Sequence, residues 1–185
     1  MQAAGRASLS GPDPDRGAPY RPRRVGALLF TAGLVVVLDV VTKVVAVERL
    51  SDRPPVRLLD GLVRLVETRN AGAAFGLGGG ATVVFTLVAA GVIVAIARTA
   101  PRLRSRAWAL SLGLLLGGAT GNLLDRLLRS PGPLRGHVVD WIQLPHWPVF
   151  NLADASIVTG GALAVLLASR GMGVDGRPAA SRTDG

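Results

Sequence analysis

Four stretches of the chain are almost free of charge, and polar residues collect between them. The apolar segments are 25–47, 81–97, 107–124 and 152–169. A helix needs about 20 mostly apolar residues to cross a hydrocarbon core. The first segment meets this outright, and the others do once their glycine- and alanine-rich flanks are counted. In a soluble bundle each helix would carry polar residues at helical period on its outer face. VVFTLVAAGVIVAIA offers almost none, so the pattern predicts four transmembrane helices. The first is a retained span and not a cleaved leader, because it exceeds the usual apolar length and contains Asp39 and Lys43.

Between the spans the period changes. Charged and apolar residues alternate over 63–69, and HVVDWIQL is rich in β-branched and aromatic side chains. Both read as short strands. The expected fold is therefore an all-α integral membrane protein: four transmembrane helices with a small extracytoplasmic β-sheet. Residues 1–24 have the proline, glycine and charge content of a disordered basic arm, and 171–185 read as a second disordered tail, leaving 25–170 as the membrane domain.

Composition agrees with a bilayer as solvent: 49% of residues are hydrophobic, 18% are charged and the mean hydropathy is +0.41. The net charge of +9 could point to nucleic acid, but aromatics are 4% of the chain and the arginines cluster between long uncharged runs, so no nucleic-acid partner is expected. There are no cysteines, which excludes a disulfide framework, a thiolate nucleophile and cysteine-ligated metal. Arginine density sets the orientation. Residues 98–106 hold four arginines and no acid, and Arg21, Arg23 and Arg24 abut the first span. Both belong to the cytoplasmic side, which makes both termini cytoplasmic.

Candidate chemistry gathers at the opposite face. If the third helix runs outward and the fourth returns, Asp125, Asp140 and Asp154 share one interface. Asp125 has Arg126 beside it and Arg129 one turn on, so a structural ion pair is its default role. Asp140 lies between Val139 and Trp141, surroundings that favour protonation. Asp154 opens the fourth helix, where free backbone N–H groups and the helix dipole favour the carboxylate. Two acids pushed apart in this way suit hydrolysis by an aspartate pair. Taken singly, the same residues read as a loop acid and a helix cap. With His137 and His146 the only histidines and no helical HxxxH spacing, a metal site is not expected.

Other polar residues have local readings. Asp39 and Lys43, four apart within the first span, form an ion pair. Asn70, Asn122 and Asn151 lie near the outer boundary, where each could hold a peptide backbone or simply cap a turn. Gly117 and Gly121 precede Asp125 at four-residue steps, and Gly161, Ala164 and Ala168 form a stripe below Asp154, both suited to close helix packing. Two other classes remain open at this point. A small transporter would spread its acids through the membrane depth. A non-catalytic binding or assembly factor would use them only as caps.

The motifs LDVVTK (38–43), RNAGAAFG (69–76), GGATGNLLDR (117–126), VVDW (138–141) and FNLAD (150–154), in this order among four spans, resemble the lipoprotein signal peptidases, or signal peptidase II, over about residues 25–170. The resemblance implies an aspartyl endopeptidase of the bacterial cytoplasmic membrane. Such an enzyme removes signal peptides from diacylglyceryl-modified prolipoproteins, cutting before the lipidated cysteine, and needs no metal or organic cofactor. It places the catalytic acids at Asp140 and Asp154 and substrate-binding residues at Asn70, Gly72, Asn122, Arg126 and Asn151. Asp39, Lys43 and Asp125 take supporting roles. The implied partners are the lipid-modified precursor and membrane phospholipid, with the protein itself a monomer. Trp141 departs from the phenylalanine usual after VVD, which bears only on fine substrate fit.

Overall fold

The computed structural model describes residues 22–71 and 79–178; the side chains of 79–81 are not described. The four apolar segments form α1 (Val25–Leu50), α2 (Gly79–Thr99), α3 (Arg106–Leu128) and α4 (Leu152–Ser169), each long and apolar enough to cross a membrane. The strands are β1 (Val56–Leu58), β2 (Val63–Asn70) and β3 (Val138–Gln143), joined as one antiparallel sheet in the order β1-β2-β3. Leu65 pairs with Ile142 and Asn70 with Val138, with an irregularity between Leu65 and Thr68.

The bundle is apolar on its outside and keeps its charged groups within. Phe30, Leu87, Val158 and Val165 are each at least 65% exposed, whereas Asp39 and Lys43 are buried. In water this arrangement would be unstable; with lipid as the solvent it is the expected one, because only the inward polar groups then need partners.

The third helix is the centre of the bundle, packing on the other three. Glycines permit this. A Cβ on Gly117 would stand 2.6 Å from Val35 Cβ, and one on Gly121 would stand 2.5 Å from Asp39 Oδ2, so this stripe is the seat of α1. Gly118, on the next face, meets the Ala153 carbonyl of α4. On α4 itself the close approach is made by Gly160, not by Gly161 as expected: a Cβ on Gly160 would lie 2.8 Å from Ser111 O, while Gly161 has open space. The Ser111 hydroxyl donates to Gly160 O at 2.8 Å. With two glycines adjacent, spacing alone did not identify the one facing α3.

Two loops set the sheet over one end of the bundle. Gly136 N–H donates to Arg126 O at 3.1 Å, and a Cβ there would collide with the Asp125 carbonyl, so the loop before β3 lies directly on the end of α3. After β3, Phe150 exchanges backbone hydrogen bonds with Ile142 (2.9 Å in each direction) immediately before α4 begins. The loop from β3 into α4 is thus clamped at its base.

At the other end, the entry to α1 joins the loop between α2 and α3, Arg24 N–H donating to Leu103 O at 2.9 Å. The arginine-rich segments assigned to one side therefore do share one end. The first residues of the expected tail, 171–178, instead form an ordered turn on the bundle. Met172 bridges Pro178, Val174 O accepts from Arg104 N (3.0 Å) and Ser105 N (3.1 Å), and Trp108 Nε1 donates to Met172 O at 2.7 Å. Val174 also packs on the apolar cluster of Leu28, Leu103 and Ala109. A single valine in a glycine-rich stretch carries too little periodicity to announce this. The arm over 1–21 and the tail over 179–185 lie outside the described residues.

Candidate active site

The site grows from three elements that end together: α1, α3 and the start of α4, with β2 and β3 above. In α1, one turn separates Asp39 from Lys43, and their ion pair measures 2.7 Å. Local spacing anticipates this pair but not the rest of the contacts of Lys43. Its ammonium also lies 2.9 Å from Asp125 Oδ2 and 3.0 Å from Asn122 Oδ1. All three partners sit within a buried cluster, so the cation is compensated by two carboxylates and an amide oxygen. Asp39 Oδ1 further accepts from Ala153 N–H at 3.0 Å, tying α1 to the first turn of α4.

Asp125 is ion-paired as expected, with Arg129 (2.5 Å) and with Lys43; the hydrogen bond of Arg126 goes to the Asn122 carbonyl at 3.2 Å. Its Oδ2 also accepts from Val139 N–H at 3.2 Å. Asp125 thereby holds the backbone one residue before Asp140.

Asp140 is 2% exposed. Oδ2 accepts from Asn70 Nδ2 at 3.0 Å and Oδ1 from Asn151 Nδ2 at 2.6 Å. Burial pushes its pKa up to about 6, the Asp154 charge adds to the rise, and the amides of Asn70 and Asn151 oppose it. Loss of hydration is the leading cause, as the apolar neighbours in sequence led one to expect.

Asp154 closes a reciprocal cap with Asn151. Asn151 Oδ1 accepts from Asp154 N–H at 2.9 Å, and Asp154 Oδ2 accepts from Asn151 N–H at 3.3 Å. The remaining oxygen, Oδ1, accepts from Asn122 Nδ2 at 2.7 Å. Asn122 and Asn151 are joined in turn, Asn151 Nδ2 to Asn122 Oδ1, at 3.2 Å. A continuous path of side-chain hydrogen bonds therefore runs from Asp140 through Asn151 and Asn122 to Asp154.

The structure thus brings together Asn70, Asn122, Arg126, Asn151, Asp140 and Asp154, with Asp39, Lys43 and Asp125 beneath them. Gly72 lies outside the described residues. Asn151 is fully buried and Asn122 nearly so, and the NH₂ of each donates to an acid, Asn122 to Asp154 and Asn151 to Asp140. Asn70, Asn122, Arg126 and Asp154 form the polar end of a cavity of about 340 Å³ whose walls include Phe85, Val88, Val92, Leu115 and Ile157. Phe85 was not anticipated. The Arg126 guanidinium lies over its ring, 5.8 Å from the centroid, an attraction between cation and π face that no local motif signals.

Comparison with known proteins gives a consistent result. A family model described as "Signal peptidase (SPase) II" matches residues 31–170. The lipoprotein signal peptidase of Mycobacterium tuberculosis is 51% identical over 158 residues, covering 85% of this chain and 78% of that protein. The lipoprotein signal peptidase of Streptomyces coelicolor is 49% identical over 162 residues, covering 86% and 79%. A solved bacterial membrane enzyme, determined by the in meso method, superposes with a TM-score of 0.70 at 25% identity, covering 82% of this chain and 97% of that one.

Proposed function

This chain belongs to the signal peptidase II family, a family of aspartyl membrane proteases, and from that premise we propose that Asp140 and Asp154 are its catalytic pair. The substrate is a diacylglyceryl-modified prolipoprotein, cut on the N-terminal side of the lipidated cysteine, and residues 25–170 form the peptidase domain. One observation carries the reading: both acids lie on a single hydrogen-bonded path, and Asp154 stands at the polar mouth of an apolar cavity.

The chemistry follows from sharing one proton. Two neighbouring carboxylates, one of them buried, cannot both ionise cheaply, so below the raised pKa of Asp140, about 6, the pair carries a single charge. The ionised member removes a proton from water as it attacks the scissile carbonyl. The protonated member donates a hydrogen bond to that carbonyl oxygen, where negative charge develops. Collapse of the tetrahedral adduct breaks the C–N bond, and the proton taken from water passes to the leaving amine.

The other residues orient the peptide. Asn70 and Arg126 border the cavity and offer donors to a peptide carbonyl or a lipid head group, with Gly72 two residues after Asn70. The apolar walls suit the hydrophobic side chains before the cysteine, and the acyl chains stay in lipid. Every proposed group comes from one chain, so a monomer suffices.

Orientation completes the proposal. The protein is a multi-pass membrane protein. Arg24, Arg98, Arg102, Arg104 and Arg106 cluster at the end remote from the site, which favours a cytoplasmic position for that end and for both termini. The site then faces outward, where lipid-modified precursors present their signal peptides.

The test is cleavage by the purified protein of a precursor prepared with and without its diacylglyceryl group, followed by mass spectrometry of both fragments. A product beginning at the lipidated cysteine, formed only from the modified precursor, supports the assignment. Cleavage elsewhere, or equal cleavage of both forms, contradicts it.

A further inference from the structure

The three-stranded sheet has two unlike sides. Residues paired across antiparallel strands point the same way, and the direction alternates along each strand. In β3 the side that carries Asp140 also carries Ile142, which pairs with Leu65, which pairs in turn with Val56. Val63 and Leu58, another pair, follow on that side, whereas the opposite side at this end of the sheet carries Arg57, Arg64 and Gln143. Asp140 accepts from Asn151 at the start of α4, so the apolar side is the one turned toward the bundle. Both β2 and β3 lie against α1, whose outer surface stays apolar and exposed as far as Val44 and Val45. The apolar side of the sheet thus extends the lipid-facing surface of α1.

At the free end of the sheet the chain turns through Leu59 and Asp60, both with left-handed φ, of 50° and 53°. Glycine or asparagine takes that conformation most readily, and a leucine there gains nothing from its backbone. Leu59 is nevertheless 73% exposed, and Leu62 is exposed beside it. The loop after β3 adjoins this turn, since Gly61 and Trp147 line one cavity, and Trp147 is 62% exposed. Water penalises such a cluster, whereas the boundary between head groups and acyl chains favours it and is where tryptophan concentrates. The segments outside the described residues are tied elsewhere. Residues 72–78 leave β2 at its other end, and α2 starts close by, the Thr82 hydroxyl donating to Ala71 O. Seven residues cannot cover the roughly 23 Å of strand from Asn70 to Val63 and return. Residues 1–21 and 179–185 join the end of the bundle remote from the acids.

We propose that this end of the sheet is a second membrane contact: Leu59, Leu62 and Trp147 enter the leaflet on the side of the acids, at the level of its head groups and upper acyl chains, while Arg57 and Arg64 stay in water. The contact fixes the height of β3, and with it Asp140, relative to the bilayer.

The chain has no cysteine, so a single introduced one carries a spin label at a unique position. Leu59→Cys, Leu62→Cys, Trp147→Cys and Arg57→Cys are each labelled in the full chain, placed in nanodiscs of phosphatidylcholine and phosphatidylglycerol, and probed by electron paramagnetic resonance with oxygen, which concentrates in the bilayer, and a nickel chelate, which stays in water. The ratio of oxygen to nickel accessibility should be several times higher at 59, 62 and 147 than at 57. Leu59→Asn/Leu62→Asn suits the backbone of the turn but removes its apolar side chains. In that background the ratio at 147 should fall several-fold toward the value at 57. The proposal is overturned if the labels at 59 and 62 meet the nickel chelate as freely as the label at 57, which would place the turn in water. It is equally overturned if they are shielded from both reagents, which would mean that protein covers them, or if the ratio at 147 is unchanged by the double asparagine variant.

Discussion

Asn122 and Asn151 share a hydrogen bond of 3.2 Å, and through it the two acids of the site are connected. Each amide has only one workable orientation. Lys43 Nζ can only donate, so Asn122 turns its oxygen toward the lysine and its NH₂ toward Asp154. The Asp154 backbone N–H likewise holds Asn151 Oδ1, leaving Asn151 Nδ2 to face Asp140. Lys43, from within α1, thus sets the geometry of a carboxylate on α4.

Asn122→Ala removes the donor to Asp154 and leaves a lysine bond unmade. Each lost hydrogen bond is worth about 1 kcal/mol, so kcat/KM for precursor cleavage should fall by roughly tenfold or more, while the protein still folds. Asn122→Asp, nearly the same shape, puts a third acid beside the pair and should be at least as damaging. Steady-state cleavage rates of the two variants check this.

The raised pKa of Asp140 gives a pH signature. Activity that needs the shared proton should decline on the alkaline side with an apparent pKa near 6 for the free enzyme, a value belonging to the pair. Asn70 holds the Asp140 pKa down by donating to the carboxylate. Asn70→Ala should therefore move the alkaline limb of kcat/KM to higher pH, whereas loss of a purely structural contact would lower the profile without moving it.

The same shift affects stability. The folded Asp140 carboxyl binds its proton more tightly than the unfolded one, whose value is 3.8. Stability is therefore lost as pH rises from about 4 through about 6, and the cost is fully present above that. Asp140→Asn removes the ionisation cost while forfeiting part of its bonding. At neutral pH it should unfold at a higher temperature than the parent, by the equivalent of about 1–2 kcal/mol, and the advantage should vanish near pH 4. Thermal unfolding in detergent at both pH values measures it.

Lys43→Met leaves buried Asp39 without a cation and Asp125 with Arg129 alone. Breaking a buried ion pair by removing one partner costs about 3–5 kcal/mol. Neutralising the acids as well, in Asp39→Asn/Lys43→Met/Asp125→Asn, should recover a large part of that loss in the same unfolding measurement.

The glycine faces separate just as sharply. Gly117→Ala drives a methyl group into Val35 and the Ala32 carbonyl of α1 and should cost about 1–3 kcal/mol. Gly161→Ala meets nothing and should be neutral, or stabilising by up to about 1 kcal/mol through helix propensity. Paired melting curves decide it.

The four helices, the strands and the gathering of acids at one end were legible because each rests on local pattern: uncharged runs, alternation, and helices that must return to the side they left. The Asp39–Lys43 pair was legible for the same reason, being one turn apart. The contact of Lys43 with Asn122 joins residues 79 apart, and nothing in either neighbourhood encodes it. Phe85 under Arg126 and the Val174 turn are likewise products of packing between distant segments. Between Gly160 and Gly161 the choice depended on how α4 is rotated against α3, which a run of small residues does not specify.

The central claim is that Asp140 and Asp154 perform the hydrolysis together. Single-turnover cleavage of a diacylglyceryl-modified precursor should be measured for the parent protein, Asp140→Asn and Asp154→Asn, alongside binding of the uncleaved precursor. The account predicts that both variants bind the precursor and that each loses at least about 1,000-fold in the chemical step, within the range general acid–base groups supply. Mature product released at the parental rate by either variant would contradict it.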